Sequence, residues 1–211
     1  MTPPSPRAPV PLVLAAGAST RMGVPKALLR FGGRSALSLI IDSCLSAGYA
    51  PAVIVLGADA RRVIEAAGDL RSANIVIHEE WASGRTSSLK AGLRTMARLA
   101  PFLIFPVDHP LIRAGTLASL RKAGETAPPH CRVVVPIIGG RRGHPVLCDA
   151  SLRNEFLALG DEEPARAVTG RDPGRVLELD VSDPGVLENL DAPEDYEQAL
   201  RRWEMEEAER S

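Results

Sequence analysis

Short apolar runs alternate along the chain with windows whose apolar positions recur at helical spacing. Residues 10–16 form a continuous apolar run, the pattern of a strand buried on both faces. Residues 36–47 place Leu37, Ile40, Ile41, Cys44 and Leu45 at the spacing of an amphipathic helix. The same reading predicts strands at 52–56, 74–77, 102–107, 133–137 and 175–179. It predicts helices at 60–67, 87–99, 114–123 and 151–159, with Asp59 as N-cap of the first of these. This βαβα rhythm implies an α/β fold, a mostly parallel sheet covered by helices on both faces. Ligands of such sheets sit beyond the carboxyl ends of the strands, so the informative residues should follow strands.

The ends read differently. Residues 1–9 hold four prolines and predict an extended, disordered tail ahead of a single domain over 10–211. No charged segment followed by an apolar one marks a signal peptide. The charged stretch 193–210 predicts a solvated final helix, docked by Leu200 and Trp203, with Glu197 and Arg201 at i, i+4. Gly139-Gly140-Arg141-Arg142-Gly143 reads as a flexible loop inside the domain.

Composition narrows the classes. The 211 residues are 45% hydrophobic and 24% charged, ordinary for a globular protein and too long to need metal or disulfide staples. No apolar run is long enough for a transmembrane helix. Lys and Arg number 25 against 26 Asp and Glu, so the basic excess of a nucleic-acid binder is missing. Cys44, Cys131 and Cys148 lack CxxC spacing and fit free thiols in the reducing cytoplasm.

The chemistry concentrates after the first strand, in Leu14-Ala15-Ala16-Gly17-Ala18-Ser19-Thr20-Arg21-Met22-Gly23-Val24-Pro25-Lys26. A glycine-rich loop lets backbone N–H groups approach phosphate oxygens, and Arg21 and Lys26 add positive charge. The spacing is neither a Walker A loop, since no Ser or Thr follows Lys26, nor GxGxxG. The plain alternative is a strand–turn–helix connection with two surface cations. Asp108 ends the apolar run 102–107 and reads either as a magnesium ligand or as a turn residue before His109-Pro110. Asp191 reads as an N-cap of the final helix, with Glu194 completing a near capping box, and equally as a metal ligand. Ser87 and Ser88 open a predicted helix, where capping alone explains them. His78 and His130 have no partners at meaningful spacing.

The segment LAAGASTRMGVPKALL closely resembles the signature of the MobA/MocA-like nucleotidyltransferases. The likeness continues, in order, through 81–93 (WASGRTSSLKAGL), 106–110 (PVDHP), 143–147 (GHPVL) and 190–196 (LDAPEDY). It implies a three-layer α/β/α Rossmann-like fold and Mg²⁺-dependent transfer of a nucleoside monophosphate from an NTP to a phosphorylated acceptor. By resemblance Leu14, Ala15, Ala16, Gly17, Arg21, Gly23, Lys26, Gly84, Ser87 and Ser88 bind the nucleotide, and Lys26, Arg21 and Asp108 are catalytic. Asp108 holds the metal together with either Asn189 or Asp191, Asp191 being preferred for its charge. His144 faces the acceptor. Ala15-Ala16-Gly17 and the GHPVL element resemble the MocA-type cytidylyltransferases. That implies CTP, the molybdenum-bound pterin cofactor as acceptor, and a molybdoenzyme or its chaperone as recipient. In Ala15-Ala16 the second alanine stands where the guanylyltransferase branch commonly has Gly, and its added methyl would narrow the space for a purine. Arg85 stands where the branch commonly has Met, and Ala192 where it has Thr. Two other readings stay open: a nucleotidylyltransferase acting on a sugar phosphate or similar metabolite, and a non-catalytic nucleotide- or cofactor-binding chaperone.

Overall fold

A computed structural model of the chain describes residues 8–70 and 73–210. Most of the predicted tail, residues 1–7, lies outside them. Pro9 is buried and its carbonyl accepts from Ala50 N–H at 3.0 Å, which ties the chain down just ahead of the first strand.

Ten strands and seven helices follow: β1 (Val10–Ala15), β2 (Arg30–Phe31), β3 (Arg34–Ser35), α1 (Ala36–Ser46), β4 (Val53–Leu56), α2 (Ala60–Ala66), β5 (Asn74–Ile77), α3 (Arg85–Thr95), β6 (Phe102–Pro106), α4 (Ala114–Thr126), β7 (Val133–Ile138), β8 (Arg141–Arg142), β9 (Val146–Cys148), α5 (Arg153–Leu157), α6 (Arg166–Thr169), β10 (Val176–Asp180) and α7 (Pro193–Arg210). The main sheet runs β10-β7-β9-β6-β1-β4-β5, with β8 paired to β7. Only β8 and β9 run against the rest.

Alternation along β1 divides the core between the two faces. Val13 faces a cluster built from α1, α2 and α4, with Leu37, Ile40, Val63, Leu117 and Leu120 fully or almost fully buried. Leu12 and Ala16 face a second cluster with Leu89 and Leu93 of α3 and Phe156 of α5. The result is the expected α/β/α sandwich. A third cluster stands apart: Met22, Leu29, Phe31, Leu39, Leu190 and Ala199. It ties the loop after β1 and the β2–β3 hairpin to α7. Trp203 lies over Gly32, whose φ of +54° and lack of Cβ the contact requires. Tyr196 Oη donates to the Arg30 carbonyl at 2.7 Å.

Several expectations change. Residues 139–143 are a hairpin, not a flexible loop: Gly139 and Gly140 both have positive φ, as a tight turn between β7 and β8 requires. Asp59 sits at the N-cap of α2 but makes no capping bond. The helix expected at 87–99 starts two residues earlier and ends at Thr95. The helix expected at 151–159 splits into a 3₁₀ turn capped by Asp149 and the short α5. Among the described residues no helix is long and apolar enough to cross a membrane. The three cysteines are free.

Candidate active site

β1 and β6 lie side by side at the centre of the sheet. Their pairing extends to the carboxyl ends, where Val107 N–H donates to the Leu14 carbonyl at 3.2 Å. Asp108 therefore emerges beside the start of the glycine loop. The Asp108 carbonyl accepts from Leu190 N–H at 2.9 Å, and Leu190 is anchored in the third cluster. This bond places Asp191 next to Asp108.

The loop is held by its own residues. Ser19 adopts a φ of +49°, uncommon outside glycine, and its Oγ accepts from Lys26 N–H at 3.2 Å. Gly23 turns the chain at φ +67°, and Met22 pins the loop into the third cluster. A side chain added at Gly17 or Gly23 would meet nothing within 4 Å, so the backbone there faces open space. Ala16 is different: its methyl is buried in the core, while Leu14 and Ala15 are half-buried.

Lys26 reaches from this loop to both carboxylates. Its Nζ lies 2.6 Å from Asp191 Oδ1 and 3.6 Å from Asp108 Oδ2, with the side chain 14% exposed. Arg21 Nη2 adds a contact to Asp191 Oδ1 at 3.2 Å. Asn189 Nδ2 donates to Asp191 Oδ2 at 2.7 Å. The hydrogen bond from Lys26 holds the Asp191 carboxyl below the ordinary aspartate range. The capping role expected of Asp191 is not seen. Asp195 reaches back instead, its Oδ2 accepting from the N–H groups of Asp191 and Ala192 at 2.9 and 2.8 Å. That frees the Asp191 side chain to face Lys26.

Ser87 and Ser88 are buried within the first turn of α3 and do not open it, because the helix begins at Arg85. Ser87 Oγ donates to the Gly84 carbonyl at 2.7 Å and meets His78 Nε2 at 2.9 Å, a partner that sequence spacing did not reveal. Gly84 has a packing reason of its own: a Cβ there would stand 2.2 Å from the Asp161 carbonyl oxygen.

On the other side of Asp108 lies a histidine pair. His109, 6% exposed, places Nδ1 3.3 Å from the Gly185 carbonyl and Nε2 3.7 Å from Asp108 Oδ1. The His144 ring lies 4.9 Å from it, tilted by 54°. Burial pushes both imidazoles down, His144 to about 4, so both are neutral near pH 7. His144 Nδ1 and Asp108 Oδ1 are buried with no hydrogen-bond partner. Sequence reading assigned His109 no role. Its position directly after the strand-ending aspartate was the available signal.

The donor set fits one divalent cation. Two carboxylates converge on Lys26 Nζ, Asp191 also meeting Arg21, and Asp108 keeps a buried oxygen unmet. Magnesium uses one or two carboxylates and completes its shell with phosphate oxygens and water. Among the described residues no group of three His, Cys, Asp or Glu could cage a metal alone.

A glycine loop, two cations and two carboxylates at the carboxyl edge of a mostly parallel sheet describe a nucleotide site of the nucleotidyltransferase class. The chain belongs to the MobA-like NTP transferase domain family, which matches residues 11–176. It is 33% identical over 189 residues to nicotine blue oxidoreductase of Paenarthrobacter nicotinovorans, covering 87% of this chain and 92% of the relative. A nucleotidyl transferase from Methanothermobacter thermautotroptrophicus superposes with a TM-score of 0.78 at 25% identity, covering 93% of this chain and 97% of that one. Rv0371c of Mycobacterium tuberculosis H37Rv, in complex with manganese, superposes with a TM-score of 0.74 at 25% identity over 92% of this chain and 98% of that one.

Proposed function

We propose that the protein is a Mg²⁺-dependent nucleotidyltransferase that moves a nucleoside monophosphate from an NTP, by preference CTP, to a phosphorylated acceptor. The observation that carries the reading is Lys26, at the end of a glycine loop, held between Asp108 and Asp191. An acceptor phosphate oxygen attacks the α-phosphorus in line. A new P–O bond forms, the bond to the β-phosphate bridging oxygen breaks, and pyrophosphate leaves with the electron pair. The acceptor phosphate needs no strong base, since its second pKa is about 6. Lys26 and Arg21 exchange their carboxylate partner for triphosphate oxygens and neutralise charge that grows toward pyrophosphate. The open backbone at Gly17 and Gly23 gives room for that approach. Asp108 and Asp191 would hold the magnesium ion, which supplies Lewis-acid charge neutralisation when bound.

The acceptor proposed is the molybdenum-bound pterin cofactor, and the setting the cytoplasm, with a molybdoenzyme or its chaperone as recipient. What supports this is the likeness of Ala15-Ala16-Gly17 and Gly143-His144-Pro145-Val146-Leu147 to the MocA-type branch. The steric part of the CTP argument falls away, because the methyl that replaces a glycine is that of Ala16 and it is buried in the core, so the likeness alone supports CTP. On that likeness CTP should exceed GTP in kcat/KM. Competition between the two nucleotides for one acceptor tests this. A ratio at or below one removes the cytidylyltransferase assignment and leaves nucleotidyl transfer standing.

The relative named an oxidoreductase favours a second reading, electron transfer to a pigment-like substrate. A dinucleotide hydride donor carries two phosphates that the same loop and cations would accept. Screening the four NTPs with Mg²⁺ and candidate acceptors for pyrophosphate, alongside a reduced nicotinamide dinucleotide with nicotine blue for absorbance loss, separates the two. Pyrophosphate with a sugar phosphate alone would assign the enzyme to that acceptor class.

A further inference from the structure

His78 joins the sheet to the start of α3. Its N–H donates to the Leu56 carbonyl at 2.8 Å, which continues the pairing of β5 with β4 by one position. Its side chain leaves the sheet, and Nε2 lies 2.9 Å from Oγ of the buried Ser87. The Ser87 hydroxyl has one proton and donates it to the Gly84 carbonyl at 2.7 Å. The same oxygen therefore accepts from His78, which fixes the proton of the neutral ring on Nε2. From Leu56 the connection runs on to the glycine loop. Gly57 follows β4, and a Cβ there would stand 2.4 Å from the Ala16 carbonyl oxygen and 2.6 Å from Trp81 Cγ. Ala58 N–H donates to that same carbonyl at 3.1 Å. The far side of the turn at 84–87 is held separately. Thr86 Oγ1 donates to the Glu163 carbonyl, and Lys90 Nζ to the Leu159 carbonyl at 2.9 Å. Gly84 itself turns at φ +133°, a conformation that restrains little without such neighbours.

We propose that His78 is a positioning residue for the nucleotide: it is the strut that sets the turn at 84–87 against the glycine loop, and it acts through Ser87 without touching the reacting atoms. This rests on the nucleotidyltransferase reading, in which the likeness lays the nucleotide along both segments. A displaced turn weakens ground-state and transition-state binding alike, so the loss falls on KM and spares kcat.

In protein labelled with ¹⁵N-histidine and free of nucleotide, the neutral His78 ring should carry its proton on Nε2. His78→Phe should weaken affinity for the NTP bound most tightly by about tenfold, the upper end for one hydrogen bond, and leave kcat at saturation within about twofold. His78→Gln, which keeps an N–H donor at similar reach, should recover most of that loss. In a Ser87→Ala background, His78→Phe should cost no more than about twofold further, because the pair acts as one unit. Circular dichroism checks that each variant folds. A proton on Nδ1 in the wild type would overturn the inference. So would an equal loss in both backgrounds, or a fall in kcat with affinity unchanged. A wild type that binds none of the four NTPs would overturn it together with the proposed function. NTP binding without pyrophosphate release would strike the reaction alone and leave the affinity results standing.

Discussion

The two halves of the crevice solve their electrostatics in opposite ways. At the glycine-loop end the charges are paired within the protein. Asp191 Oδ1 meets Lys26 and Arg21, and Oδ2 accepts from Asn189. At the histidine end two buried atoms are left unmet among the described residues: Asp108 Oδ1 and His144 Nδ1 have no hydrogen-bond partner. The first end is compensated before any ligand arrives, so binding the proposed triphosphate there would be an exchange of partners. The second end is completed only by something from outside. Residues that pair with one another can be fixed by the fold alone, while unmet groups record what the ligand must bring.

The largest effect should come from breaking the paired end. Lys26→Ala removes the charge shared by both carboxylates, and loss of one preorganised stabilising group lowers turnover by about 100- to 1000-fold. Single-turnover rates within threefold of wild type in the folded variant would take Lys26 out of the phosphate site. Asp108→Asn links the two ends, since this carboxylate touches Lys26 on one oxygen and faces the histidines with the other. It should raise the Mg²⁺ midpoint for pyrophosphate release by an order of magnitude or more, with metal-free NTP affinity much less affected. An unchanged midpoint and plateau would make Asp108 a turn residue.

The unmet end can be tested through stability. The His144 pKa falls from 6.5 when unfolded to about 4 when folded. Between those values the unfolded chain binds more protons. Stability is therefore full above pH 6.5 and is lost as pH drops toward 4, by at most about 1.4 kcal/mol per pH unit for this residue. Urea unfolding of wild type and His144→Gln across pH 5 to 6.5 checks the sign: the variant should show the shallower dependence, and parallel curves would mean that His144 is not held neutral. The smallest effect should be Asn189→Ala. It removes one hydrogen bond from a carboxylate that keeps two cations, and about 0.5–1.5 kcal/mol corresponds to a 2- to 13-fold loss in kcat/KM. A hundredfold loss would instead place Asn189 among the groups that touch the ligand.

Most of this fold was legible along the chain because continuous apolar runs such as 102–107 can belong only to buried elements. The three-residue β9 was not, because Val146–Cys148 is too short to show a period. Its antiparallel insertion between β6 and β7 depends on distant pairing. In the site, Lys26 and Asp108 could be found from their places after strands. That Asp191 faces Lys26, 165 positions away, could not. It follows from Met22, Phe31, Leu190 and Ala199 packing together, and from Asp195 taking over the cap. Capping and metal-facing aspartates look alike in a sequence, and only the partner decides between them. Ser19 was missed for a related reason: nothing in the residue types announces a left-handed serine bonded to Lys26 N–H.

The central claim is that the paired end exists to trade a carboxylate for a triphosphate. CTP labelled at the α-phosphorus, mixed with Mg²⁺ and the molybdenum-bound pterin cofactor or a sugar phosphate, tests it directly. The account predicts one pyrophosphate released for each labelled monophosphate transferred, with both signals falling together at least 100-fold in Lys26→Ala. No pyrophosphate from any of the four NTPs with either acceptor, while a reduced nicotinamide dinucleotide is consumed in the presence of nicotine blue, would contradict it.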